Sequence, residues 1–279
     1  MSEPRLNDVH LYLQRLGFAT RPAPTLETLQ QLQRRHTSTF AFENLSTIGG
    51  APVPIDLPSV ERKVLHEGRG GYCYELNNLF LALLLELGFE ARGISGRVVL
   101  GQPEGSWTAR THRLSLVHID GVRYISDVGF GGMVPTAPLI LDSESAQATP
   151  HEAYRLDRQT DGYLLRAQVA GEWRPVYLFD LQRQEAIDYS IGNWYVSTHP
   201  DSPFAQRLMV ARTGDGWRRT LNNGSFAIHR VGAESERREL TDVDELLEVL
   251  VDEFGIRPPP YPALRPALKR LLETNPPAP

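Results

Sequence analysis

One cysteine, Cys73, stands in 279 residues, so no internal disulfide can form and no cysteine-based zinc cluster is possible. Lysine is nearly missing too, with Lys63 and Lys269 alone against abundant arginine, a bias of composition rather than a sign of function. The net charge of −5 lacks the basic footprint of a nucleic-acid binder and does not suit a surface that hugs anionic lipid. The longest apolar run, residues 79–85, is far too short to span a bilayer. The first residues, Met1 to Arg5, carry no apolar segment of a signal peptide, which leads us to expect a cytoplasmic protein. There is no internal repeat and no low-complexity tract. At 41% hydrophobic and 23% charged residues the composition is that of an ordinary globular protein, and the length favours two or three packed units over one core.

The single cysteine lies in Arg69-Gly70-Gly71-Tyr72-Cys73-Tyr74-Glu75-Leu76-Asn77-Asn78, where a glycine pair runs into an apolar helix. Leu76, Leu79, Phe80, Leu83, Leu84 and Leu87 follow helical spacing, and Gly88 is a natural stop. Cys73 therefore falls at the first turn, where unpaired N–H groups and the helix dipole favour a thiolate. A buried, inert thiol is the common fate of a lone cysteine. A histidine and a carboxylate able to reach the sulfur would distinguish a nucleophile.

The first third reads as helices. Asn7 and Thr25 are candidate caps, Val9, Leu13 and Leu16 then Leu26, Leu29 and Leu32 are inward stripes, and a weaker helix starts near Ser59. Between them, Glu43 is a charge in the apolar stretch Phe40 to Leu45 and needs a partner, for which Arg69 is the candidate. From about Ala91 the period becomes strand-like. Runs at 96–100, 112–119, 122–130, 153–157, 163–169 and 173–179, separated by turns such as Asp120-Gly121, predict an antiparallel barrel or strongly curved sheet. A helix from Gln184 is expected to turn Ile187, Ile191 and Trp194 inward. Strand-like segments follow, then a helix capped by Thr241 or Asp242 with Val243, Leu246, Leu247, Leu250, Val251 and Phe254 inward, and a proline-rich tail carrying Leu264, Leu268 and Leu271.

The Asp120-Gly121 turn selects among eight histidines. With Ile119 opposite Val122, Leu114 falls opposite Asp127, and His112 lies on the same face, diagonal to that carboxylate. Asp127 in an apolar strand needs a donor, which an imidazole supplies. His118 shares the face but sits about 20 Å along it with no acid opposite. The expected chemistry is a thiolate of Cys73 formed by proton transfer to His112, steadied by Asp127 and helped by neighbouring Arg69; it suits acyl transfer from a thioester.

The motifs Arg69 to Asn77, Thr111-His112 with Leu114, and Asp127-Val128-Gly129-Phe130-Gly131 resemble the signature motifs of the arylamine N-acetyltransferases. Phe42-Glu43-Asn44-Leu45 and the stretch from Tyr195 through Phe204 also resemble their counterparts, and the likeness spans nearly the whole chain. The resemblance implies an α+β fold with cysteine-protease-like triad geometry: a helical bundle at 1–90, an antiparallel β-barrel at 91–200 and an α/β lid at 201–279. It implies a Cys73–His112–Asp127 triad that passes an acetyl group from acetyl-CoA, as substrate and not as bound cofactor, to an arylamine or hydrazine in a ping-pong cycle. It further implies Phe130 and Phe204 in the amine pocket, Gly129, Gly131 and Gly132 at the CoA site, Glu43 and Arg69 as structural support, and no metal. A related amide synthase releasing a polyketide chain, or a cysteine peptidase or transglutaminase-like enzyme, are the alternatives.

Overall fold

The structure is a computed structural model that describes residues 5–103 and 105–274. The N-terminal third is helical: α1 (Val9–Arg15), α2 (Leu26–Thr39), a short strand β1 (Phe42–Glu43), α3 (Leu45–Ile48), α4 (Leu57–Glu61) and a π turn over Arg62–His66, then α5 (Cys73–Leu87). Thr25 caps α2 as expected, its hydroxyl accepting from the Thr28 N–H. The cap of α1 is Asp8 rather than Asn7, because the buried Glu61 carboxylate claims the Asn7 backbone and side-chain N–H groups at 3.0 and 2.8 Å. Helix α5 begins with Glu75 accepting from the Tyr72 N–H (3.1 Å) and ends at the left-handed Gly88.

The middle of the chain is β2 (Glu90–Val98), β3 (Arg110–Ile119), β4 (Val122–Ser126), β5 (Leu139–Ile140), β6 (Tyr154–Gln159), β7 (Gly162–Val169) and β8 (Glu172–Phe179). They form one antiparallel sheet in the order β5-β4-β3-β2-β8-β7-β6, curled into a nearly closed barrel around Ile94, Leu114, Leu116, Leu165 and Tyr177. The β3–β4 hairpin has the expected register, Ile119 opposite Val122, over a turn whose Asp120 and Gly121 both have positive φ. Two strands differ from expectation. β2 starts at Glu90, six residues early, and β4 stops at Ser126, after which the chain loops through a 3₁₀ turn at Gly131–Met133.

Next come α6 (Ala186–Thr198), α7 (Pro203–Gln206), β9 (Met209–Gly214), β10 (Trp217–Asn222), β11 (Ser225–Arg230), β12 (Glu236–Glu239), α8 (Val243–Asp252) and α9 (Leu264–Thr274). A second sheet, β1-β9-β10-β11-β12, takes its edge strand from the N-terminal third. The orientation of α6 reverses the expected one: Ile187, Ile191 and Trp194 are all at least 60% exposed, while Tyr189, Gly192, Asn193 and Val196 are buried. The reason is contact with α5. A side chain at Gly192 would lie 2.0 Å from the Tyr74 hydroxyl, and Asn193 accepts from the Tyr72 hydroxyl (2.6 Å) while donating to the Val53 carbonyl. Val251 on α8 is likewise half exposed rather than inward; Asp242 caps that helix. No helix among the described residues is long and apolar enough to cross a membrane.

Candidate active site

Cys73 is the first residue of α5 and is buried. Gly70 and Gly71 are demanded by space rather than by a sharp turn. A Cβ on Gly70 would meet the Ala41 carbonyl oxygen at 1.9 Å, and one on Gly71 would press on Glu75 at 2.8 Å. This close passage lets the Gly71 N–H and C=O bond to Ala41 and Glu43, so the approach to Cys73 is clamped onto β1.

Beneath that approach lies a buried ionic group. Arg69 donates through Nε and Nη2 to Glu43 Oε1 (3.0 and 2.8 Å), as expected, and Glu43 Oε2 accepts from the Leu45 N–H (2.7 Å). Lys63 adds a bond to Glu75 (2.6 Å) and lies 3.7 Å from Glu43. Burial alone would raise the Glu43 carboxyl, but the two cations hold it below its usual value. Arg69 thus has its counter-charge in place beside the approach to Cys73.

His112, near the start of β3, and Asp127, just past β4, meet inside the barrel mouth with Nε2 to Oδ2 at 2.7 Å, both buried. The other carboxylate oxygen accepts from Asn77 Nδ2 and the Gly129 N–H, each at 2.9 Å. Burial opposes ionisation of Asp127, yet these donors and the imidazole hold its carboxyl below the normal value. Burial likewise opposes the imidazolium, but the Asp127 charge and hydrogen bond, with the Cys73 side chain, lift His112 to about 10. Nδ1 is the ring nitrogen that Asp127 leaves uncommitted. Cys73 Sγ itself donates to the Thr111 carbonyl (3.5 Å), one residue from His112. Two of the three residues singled out in the sequence, His112 and Asp127, are thus in direct contact, and the third, Cys73, rests against the neighbour of His112 in the chain.

Other expected residues fall at different depths. Phe130 packs edge-on against the His112 ring, 5.1 Å between centroids. Phe204, on α7, packs on Phe42 (5.8 Å) and Tyr72 (5.2 Å). Gly129 and Gly131 owe their small size to packing, since a Cβ would press on the Cys73 Cα at 2.8 Å and the Phe42 ring at 3.1 Å. Gly132 instead faces Thr220 of the second sheet. Among the described residues no group of acids, histidines and cysteine is arranged to hold a metal.

Four supporting side chains were not assigned roles from sequence. Asn77, one turn after Cys73, bonds Asp127, the Arg113 carbonyl (2.6 Å) and the Val128 N–H (3.0 Å). Gln33 of α2, fully buried, accepts from Ser126 Oγ (2.7 Å) and donates to the carbonyls of Asp127 (3.3 Å) and Pro135 (2.7 Å), pinning both ends of the loop that carries Phe130. Tyr177 packs at a tilt against the His112 ring, 4.9 Å between centroids, and Tyr72 ties α5 to α6. A polar residue on an apolar helix face, as with Gln33 and Asn77, was the available signal.

The N-acetyltransferase family pattern matches residues 25–258. The chain is 41% identical over 253 residues to an arylamine N-acetyltransferase of Mycolicibacterium smegmatis, covering 89% of this chain and 92% of that one. The solved structure of the Mycobacterium marinum arylamine N-acetyltransferase in complex with CoA superposes with a TM-score of 0.88 at 38% identity, covering 96% of this chain and 99% of that one. A more distant relative, a proansamycin X synthase of Amycolatopsis mediterranei, is 34% identical over 186 residues, 65% of this chain and 71% of its own. Both the barrel with its buried His–Asp pair and these likenesses lead to one conclusion: the chain belongs to the arylamine N-acetyltransferase family.

Proposed function

We propose that the protein transfers an acetyl group from acetyl-CoA to the nitrogen of an arylamine or hydrazine through an acetyl-Cys73 intermediate, in a ping-pong cycle. The observation that carries this reading is the buried imidazole of His112, held at 2.7 Å by Asp127, with the sole thiol resting against the carbonyl of the preceding residue, Thr111. His112 takes the Cys73 proton, and the thiolate attacks the thioester carbonyl. The N–H groups of Cys73 and Tyr74 at the start of α5, which have no partner within the helix, receive the oxyanion. CoA departs as a thiolate and takes the proton back from His112. The amine then attacks the acetyl-cysteine carbonyl, gives a proton to His112, and expels the Cys73 thiolate.

Phe130 and Phe204 offer aromatic faces to the acceptor ring. On this reading Gly129, Gly131 and Gly132 form the loop that meets CoA, Gly132 lying beside Thr220 of the second sheet. The same reading keeps residues 1–90, 91–200 and 201–279 as bundle, barrel and lid, with β1 crossing into the lid sheet. A lone free thiol and an intracellular acyl donor support a cytoplasmic location. The likeness to a proansamycin X synthase favours, as a second reading, an amide synthase releasing a carrier-bound acyl chain by the same thiol chemistry.

Incubation with acetyl-CoA followed by intact-protein mass spectrometry is the direct test. One acetyl group is expected on the wild type, discharged on adding an arylamine, and none on Cys73→Ser, whose turnover is lost. Absence of the adduct, or its persistence in Cys73→Ser, would refute the reading. A panel of arylamines, hydrazines and carrier-bound acyl donors then separates acetyl transfer from amide synthesis, and cleavage of a peptide without acetyl-CoA would mark a peptidase.

A further inference from the structure

The stretch Phe42 to Leu45 runs between the approach to Cys73 and the segment that carries Phe204, and it grips both. Towards Cys73, the Glu43 N–H donates to the Gly71 carbonyl (2.9 Å) and the Glu43 carboxylate holds Arg69. Towards Phe204 the grip is made by Asn44, which is 1% exposed. Its Nδ2 donates to the carbonyls of Phe204 (2.9 Å) and Arg207 (2.7 Å), and its Oδ1 accepts from the Met209 N–H (2.8 Å). Each bond answers a local need. Helix α7 is four residues long, so its last carbonyls run out of helical donors; the Leu208 N–H that would reach Phe204 is taken by Asn223 (2.9 Å). One residue beyond the Glu43–Val210 pair of the β1–β9 ladder, Asn44 Oδ1 stands in for a strand carbonyl. A short planar amide, with two N–H donors and one acceptor, meets all three demands at once.

What these bonds place is a ring. Phe204 is half-buried, 5.8 Å from Phe42 and 5.2 Å from Tyr72, the residue before Cys73. Ser202 secures the other side of the residue: its hydroxyl donates to the Val196 carbonyl (2.6 Å) and accepts from the Phe204 N–H (3.2 Å). The backbone of Phe204 is therefore held by its N–H through Ser202 and by its carbonyl through Asn44, while its ring leans on the neighbour of Cys73. Asn44 itself touches neither Cys73 nor His112 and makes all three of its bonds to residues 204–209.

We propose that Asn44 is a positioning residue for the acceptor amine: through the backbone of Phe204 it sets an aromatic wall for the arylamine ring, and it plays no part in the acetylation of Cys73. The inference rests on the acetyl-Cys73 reading of the site, and the two half-reactions separate them. Cys73 is loaded from acetyl-CoA, excess donor is removed, an acceptor is added, and both steps are followed by intact-protein mass spectrometry. Asn44→Leu, close to isosteric, should load at a rate within about twofold of the wild type. The arylamine concentration giving half-maximal discharge should rise about three- to tenfold, the worth of one aromatic contact. Unsubstituted hydrazine, which has no ring for Phe204 to meet, should discharge the wild type and Asn44→Leu alike, whereas a general loosening around Cys73 would slow both acceptors. Phe204→Ala should show the same rise, and the double variant no more than either single one, because the amide acts through that residue. Asn44→Ser, which keeps one donor, should lie between the wild type and Asn44→Leu, and decides the matter should the leucine variant not fold. Arylamine discharge unchanged in the Asn44 variants, an equal loss with hydrazine, or losses in Asn44→Leu and Phe204→Ala that multiply would overturn the role of Asn44. A wild type that does not load refutes the acetyl-cysteine reading and takes this inference with it, so the two failures are told apart.

Discussion

Replacing Asp127 by asparagine tests the proposed site most severely, because the shape is kept while the charge and one donor–acceptor sense are exchanged. In the wild type one carboxylate oxygen accepts from Asn77 and Gly129, and the other meets His112 Nε2 at 2.7 Å. In the Asp127→Asn variant the amide oxygen would stay with the two donors, so the amide NH₂ would donate to Nε2. That forces the ring proton onto Nδ1, the nitrogen reserved for the sulfur, and His112 can no longer take the thiol proton. The charge loss acts in the same direction. Asp127 is the main group opposing burial in lifting His112 from 6.5 to about 10, a shift equivalent to roughly 5 kcal/mol on the scale of 1.36 kcal/mol per unit. Acetyl transfer, followed as thiol release from acetyl-CoA, should fall about 10³–10⁴-fold, and alkylation of Cys73 at pH 6 should slow with it. Stability should change with a definite pH signature. A histidine whose folded value lies above its unfolded one contributes fully below about pH 6.5 and loses that contribution as pH rises toward 10. The gap in urea stability between wild type and Asp127→Asn should therefore be widest at pH 6 and narrow above it. Activity within tenfold of wild type, with fast alkylation at pH 6, would refute the reasoning.

Glu43→Gln leaves the 5%-exposed Arg69 without its counter-charge and should cost about 3–5 kcal/mol in urea unfolding, with activity falling only as the fold weakens. His36, fully buried and bonded to the Tyr12 hydroxyl, is held by burial down to about 3. Its neutral form is favoured in the fold, so stability is complete above about pH 6.5 and declines toward pH 3 at about 1.4 kcal/mol per pH unit; His36→Gln should flatten that slope in acid titrations followed by circular dichroism. Gln33→Leu releases both ends of the loop from Asp127 to Pro135, and kcat/KM should drop about tenfold, roughly 1.4 kcal/mol, mainly through KM.

Much of the scaffold was legible because it follows simple periodicities. The α5 stripe from Leu76 to Leu87 buries every residue that helical spacing assigned inward. The Asp120-Gly121 turn determined a register, and that register alone carried His112 to Asp127 across fifteen residues of chain. The Glu43–Arg69 pair was readable from cost, since neither charge could be buried singly. These inferences share one property: each needs only local spacing or the rule that buried charge is paired.

The misreadings arise where tertiary contact overrides that logic. On α6 the apolar stripe Ile187, Ile191 and Trp194 points to solvent, because Gly192 and Asn193 suit the crowded, hydroxyl-lined surface made by Tyr72 and Tyr74 and three large side chains do not. An amphipathic pattern states that two faces differ, but the shape of the neighbouring surface decides which face turns inward.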